Sequence, residues 1–260
     1  MFFTKPANDT IKKTQQLPHP KVDSSKTQTD IPAKPKVVWD QTPKRSIPQQ
    51  YYEPTDESTD EPKFRINIEG GYSYRTTEVS GNVPADFKSY MEKLKSGYNI
   101  AVNFTYFFGE EYGICFNYSR FMTSNSIDGV VIYNKTTGSI LGVGKMEDNI
   151  AISLYGVGLA QRKILSESIL LYASGVLGLA TYFDDGKLLN IPVEIDGSGF
   201  ALSGLVGLDF KLGPDWAFGL DISYLLGTVS NFKVNGKSVN LGKESLNRFD
   251  FNIGLKYFFY

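Results

Sequence analysis

Histidine and cysteine are almost missing from these 260 residues: there is one of each, His19 and Cys115. One cysteine allows no internal disulfide and no cysteine-built metal site. Net charge is also small, with 27 Lys and Arg against 28 Asp and Glu, so the electrostatic footprint of a nucleic-acid binder is absent. No uncharged run reaches the ~20 residues that a membrane-crossing helix needs; the best, residues 168–183, is shorter and flanked by strand-like segments. Gly197-Ser198-Gly199 has no phosphate-loop context and reads as a hinge into a strand. No cofactor or metal site is expected.

A further absence divides the chain. Residues 1–62 contain no glycine and nine of the 12 prolines, while all 25 glycines fall in 63–260. Leu17-Pro18-His19-Pro20 and Ile31-Pro32-Ala33-Lys34-Pro35 favour extended backbone. Few apolar residues are available to offset the entropy of ordering, so 1–62 reads as a disordered tail or linker. Val37-Val38-Trp39 and Tyr51-Tyr52 are incidental aromatics within it.

What is present after Pro62 is alternation. Phe64, Ile66, Ile68, Tyr72 and Tyr74 interleave with Arg65, Asn67, Glu69, Ser73 and Arg75, the period-two signature of a strand with unlike faces. Residues 98–108, 112–122, 199–211, 216–226 and 248–260 repeat the pattern. Residues 148–161 and 168–182 are strand-like but apolar on both faces, which leaves their inward face open. The total is eight strands, joined alternately by short turns (109–111, 162–167, 212–215) and long connections (78–96, 123–147, 183–197, 227–247). That spacing predicts an all-β, eight-stranded antiparallel up-and-down transmembrane β-barrel over 63–260. The large Phe, Tyr and Trp side chains gather near strand ends, as in an interfacial girdle, and the opposite face is small or polar. A soluble lipocalin-like ligand-binding barrel, whose apolar face would point inward, is the alternative.

The ending Asn252-Ile253-Gly254-Leu255-Lys256-Tyr257-Phe258-Phe259-Tyr260 resembles the C-terminal insertion signal of outer-membrane barrels: Gly254, then hydrophobic Tyr257 and Phe259 three and five positions on. With the eight-strand layout, residues 63–260 are similar to the small OmpX/OmpW/OmpA-type barrels, in a style common in Bacteroidetes. The resemblance implies a bacterial outer-membrane location with the tail in the periplasm. It implies contact with outer-membrane lipid and lipopolysaccharide, and with the barrel-assembly machinery during insertion. The tail could meet a periplasmic partner. Because Met1-Phe2-Phe3 runs straight into Thr4-Lys5-Pro6, the export signal is expected upstream. Small barrels that act as enzymes use a histidine near the membrane surface; His19 lies in the tail, so no enzyme activity is expected. Asp184-Asp185 and Glu110-Glu111 read as solvated acids, and Cys115 as an inert thiol facing the lumen.

Closure of strand eight on strand one, with paired indices summing to 325, sets Lys256 against Glu69 and Asp250 against Arg75. Two opposite-charge pairs in one register suggest a plugged lumen. In the long connections, residues 84–95 read as a short helix with Phe87, Met91 and Leu94 on one face, lying on the interface or capping the mouth. Residues 129–144 read as a hairpin turning through Asn134–Gly138, and Asn235-Gly236 is a second turn signal. The function expected is a non-enzymatic outer-membrane barrel whose surface loops contact ligands or partners. A narrow channel for small hydrophobic compounds is the alternative.

Overall fold

A computed structural model describes residues 61–77, 85–134, 137–240 and 242–260. The tail, with His19, Val37-Val38-Trp39 and Tyr51-Tyr52, lies outside the described residues. In chain order the elements are β1 (Phe64–Arg75), α1 (Ala85–Lys93), β2 (Ser96–Phe107), β3 (Tyr112–Tyr133), β4 (Ile140–Ser166) and β5 (Ile169–Leu188). They continue with β6 (Ile191–Lys211), β7 (Trp216–Val229), β8 (Asn231–Val234), β9 (Lys237–Val239), β10 (Glu244–Ser245) and β11 (Arg248–Phe259).

Eight of these strands close a ring. β1 to β7 pair in sequence, β7 pairs with β11, and β11 returns to β1, all antiparallel. Stepping from partner to partner around the ring leads from Phe64 through Tyr106, Ile114, Leu159, Gly175, Gly204, Tyr224 and Phe249 to Tyr74. The circuit thus returns to β1 ten residues above its start, a stagger that tilts the strands by about 40° and leaves an interior wide enough only for side chains.

Alternation decides what each face carries. Outward positions from Phe64 to Tyr74, and at the same level on the other strands, are apolar or glycine except for Arg120, Ser153 and Gln161. At about 3.3 Å per residue and that tilt, this belt is about 25 Å tall. Its side chains are bare: Tyr98 is 75% exposed, Leu159 69% and Phe200 78%. Aromatic residues edge it at both ends, with Phe64, Tyr106, Phe210, Trp216, Tyr257 and Phe259 at the short-turn end and Tyr72, Tyr74, Tyr98, Tyr155, Phe200 and Phe249 at the other. Phe64 stacks on Phe259 across the closing seam, ring centroids 4.9 Å apart.

β1, β2, β7 and β11 have 12, 12, 14 and 12 residues, close to the alternating segments of the sequence, but β3 to β6 have 22, 27, 20 and 21 residues. The stretches 123–147 and 183–197, expected as long connections, are mostly strand that continues past the belt. Their ladders persist, Asn125 facing Asp148 and Asp185 facing Glu194. A two-residue turn at Leu189-Asn190, both at positive φ (54° and 66°), joins β5 to β6. No glycine flags it, which is why the sequence hides it. The hairpin read at 129–144 is present, its turn closed by Asn134 N–H on the Ser139 carbonyl at 2.8 Å. Asn235 and Gly236 turn β8 into β9, with φ of 48° and 76°.

Candidate functional site

The interior is filled in tiers. Nearest the short turns lies a charged floor. The Arg65 guanidinium donates Nε to Asp209 Oδ2 at 2.9 Å and stacks 3.9 Å above the Tyr172 ring. Lys256 Nζ donates to Asn67 Oδ1 at 2.6 Å, approaches Glu69 Oε2 at 3.3 Å and bonds Asp221 Oδ2. Glycine makes this possible: a Cβ on Gly219 would collide with Lys256 Cε and Nζ. Beneath the floor Arg162 packs 4.0 Å from the Phe107 ring centroid, donating to the Glu110 and Pro62 carbonyls and pairing with Glu61.

Above the floor, Asn99, Asn117, Ser119, Ser203 and Ser223 ring a void of about 10 Å³, room for about one water molecule. Arg248 crosses next, donating to Asp250 at 3.0 Å and to Ser119 at 3.2 Å. The roof is apolar: Phe121, Ile150, Ile152, Leu154, Ala180, Tyr182, Leu225 and Phe232 pack with Tyr90 of α1 and with Leu94 just past its end. The helix is therefore a cap over the mouth, the second of its two expected placements. This also explains why 148–161 and 168–182 are apolar on both faces. One face joins the belt; on the other, Ile150, Ile152, Leu154, Ala180 and Tyr182 join the α1 cluster, while Ala160, Tyr172 and Val176 pack with Phe107 and Leu205 deeper in the lumen.

Of the charges expected in the lumen, Lys256 and Glu69 do lie together, although on a register sum of 323, with Asn67 opposite Lys256 and Glu69 opposite Gly254. Arg75 and Asp250 do not pair, which corrects the sequence expectation. The two-residue difference sets Arg75 opposite Arg248 and Asp250 opposite Ser73. Arg248 takes the Asp250 carboxylate, and Arg75 turns to Glu244 at 2.7 Å. Arg65, Asp209, Asp221 and Arg248 were not singled out in the sequence. Their inward parity was legible, but Arg65 and Asp209 meet across the lumen from strands that are not neighbours. Gly254 sits at a seam where a Cβ would press on the β1 backbone, and Tyr257 and Phe259 face outward at the short-turn end.

Asp184 and Asp185 separate by the same parity. Asp185 is exposed, as expected of a solvated acid, but Asp184 turns into the mouth and is buried. It accepts the Asn149 N–H at 2.9 Å. Beside it Tyr90 donates to Asp148 Oδ2 at 2.6 Å, and Asn125 donates to the Tyr90 carbonyl at 2.9 Å. These groups lie beyond the belt. Burial, then the nearby Asp148 charge, pushes the Asp184 carboxyl up to about 7, and burial raises Asp148 as well. An unfolded Asp ionises near 3.9, so between about pH 4 and pH 7 the unfolded chain sheds a proton that the folded mouth retains. Stability is then lost as pH rises through that window and levels above it. Amide protection of α1, corrected for intrinsic exchange, is expected to be higher at pH 5 than at pH 8, and Asp184→Asn should flatten the difference.

These features define a closed eight-stranded barrel with a hydrocarbon-like exterior and a packed interior. No family model matches the chain, and no curated protein matches it. Solved structures with a similar backbone include Neisserial surface protein A, 12% identical, covering 76% of this chain and 97% of that one with a TM-score of 0.48. Ail, the attachment invasion locus protein of Yersinia pestis, in complex with the heparin analogue sucrose octasulfate, is 16% identical over 76% and 99%, with a TM-score of 0.42. The outer-membrane protease OmpT of Escherichia coli is 12% identical over 75% and 96%, with a TM-score of 0.44. At these identities the likeness is one of backbone course alone.

Proposed function

We propose that this chain is a non-enzymatic integral barrel of the bacterial outer membrane, sealed to solutes, that serves as a rigid mount for a sheet projecting outside the cell. The observation that carries this reading is the combination of a lumen filled from floor to roof with four strands that continue past the belt. Bare apolar side chains around the whole belt favour lipid over water as the surrounding medium, and so weigh against a soluble ligand-binding barrel. In this orientation the short turns, and with them the start of β1, face the periplasm, so the tail would meet its partner there.

Partner contact is assigned to the projecting sheet. Among the described residues no strand lies beside the β2-side edge of β3 beyond Met122, since β2 pairs with β3 only as far as Tyr98 and Met122, and Asn125 reaches the α1 backbone. Tyr133, Ile140, Leu141 and Val143 at the hairpin tip are exposed. An open edge with apolar side chains at its end is suited to strand addition by a partner protein.

Planar-bilayer recording tests the sealed lumen. The full chain, inserted and heat-modifiable on gels, should give no reproducible unitary conductance. Stepwise channel events would overturn the proposal in favour of a narrow channel.

A further inference from the structure

Every outward position of the belt between the two aromatic edges is uncharged except one, Arg120. It stands on β3 beside Ile100 of β2 and Ser153 of β4, level with Tyr98 and Tyr155 at the extracellular edge. Among the described residues nothing pairs with it: it has no ion pair, no hydrogen bond and no ring beneath it, yet it is only partly exposed. A guanidinium at this depth gains nothing from hydrocarbon, and it matches a phosphate in both charge and fork geometry.

Its surroundings are shaped as well as charged. One row of direct partners continues from Arg120 through Ser153 and Thr181 to Ser198, setting three hydroxyl side chains at outward positions along the rim, where apolar residues occupy the levels below; Ser153 is buried, and Thr181 and Ser198 are partly exposed. Arg120 opens onto an exterior hollow of about 460 Å³ walled by Tyr98, Met122, Asn149 and Phe183, with the Asp185 carboxylate also on its wall. On the same strands, directly below and parted from it by the Tyr118–Tyr155 ring pair with centroids 5.0 Å apart, runs a second exterior groove of about 560 Å³. That groove is lined by Val102, Phe104, Phe116, Val157 and Leu177, with the backbone of Gly156 and Gly178 in its floor. A mostly apolar hollow that holds an unpaired cation stands over an apolar groove that points toward the membrane interior.

We propose that this face, over β2 to β5, binds a phosphorylated, acylated lipid of the outer leaflet, with its phosphate on Arg120 and an acyl chain in the groove below. The inference rests on the belt being embedded in lipid, and the test separates the two. Wild-type protein and Arg120→Gln would be placed in phosphatidylcholine nanodiscs containing a few mole per cent of monophosphoryl lipid A, or the same lipid without its phosphate. Native mass spectrometry of the released barrels then counts bound lipid. Wild type should retain one phosphorylated lipid, and Arg120→Gln should retain at least ten-fold less. The dephosphorylated lipid should not distinguish the two proteins. Equal retention by Arg120→Gln, or equal binding of the dephosphorylated lipid by wild type, would overturn the site. Displacement of the lipid by inorganic phosphate alone would also overturn it, by showing a free-anion site. Heat-modified gel mobility checks that the variant is folded, which its outward, unpaired side chain leads one to expect. Failure of the wild type to enter nanodiscs at all would sink the lipid-embedded reading instead.

Discussion

Lys256→Met lowers the stability of the barrel by about 3–5 kcal/mol, the cost of stranding buried charge after its partner is removed. Glu69 and Asp221 both face Lys256 Nζ in a fully buried site, and methionine fills the space without supplying a donor. The urea midpoint for unfolding from lipid vesicles should fall accordingly. Changing Lys256, Glu69 and Asp221 together to apolar residues should recover part of the loss, because an apolar layer of similar volume leaves no charge unpaired. A Lys256→Met barrel that unfolds at the wild-type midpoint would mean that the floor does not hold the seam together.

Leu94→Asp releases α1 from the mouth. Leu94 is buried among Tyr90, Phe121 and their neighbours, and deleting such a contact costs about 2–5 kcal/mol even before a charge is introduced. Amide protection over residues 85–93 should fall by about a hundred-fold or more, while protection of the β1–β2 and β1–β11 ladders stays unchanged. The variant should still conduct nothing, because the Arg248–Asp250 tier and the charged floor remain below the roof. Unchanged protection of α1 would show that the helix is held by its polar ties to Asp148 and Asn125 rather than by packing.

Much of this architecture could be read from residue alternation, because a two-residue period assigns every side chain of a strand to one side. Phe64–Arg75 and Trp216–Val229 carry that information without ambiguity. The inward facing of β4 and β5 could not be read, since Ile150, Ile152 and Leu154 are as apolar as Tyr155, Val157 and Leu159. What separates them is α1, a tertiary partner. The closing register was missed by two residues because direct opposition was required of each charge pair. Long side chains satisfy themselves diagonally: Lys256 reaches Glu69 from the position opposite Asn67. Overshoot of β3 to β6 was hidden for a different reason. Residues 123–148 and 182–198 lose the apolar-out pattern once they leave the belt, although their ladders continue. Arg120, by contrast, stood on the outward parity of β3 in plain sight as the one charge among apolar residues.

The length of β3 has a mechanical consequence. Its eleven residues beyond Met122 raise the Tyr133 tip about 25–30 Å above the belt at the tilt the ring imposes. β4 shares that height, β5 and β6 rise beside it as far as the Met146–Leu188 pair, and each of the four is continuous with a stave of the ring. A pull on the tip therefore loads the inter-strand ladders lengthwise, so that many hydrogen bonds must slip at once instead of peeling one by one. If a partner binds at the tip, as proposed above, such a mast would carry the load without first yielding itself, and the weakest link under tension would be the bond at its tip.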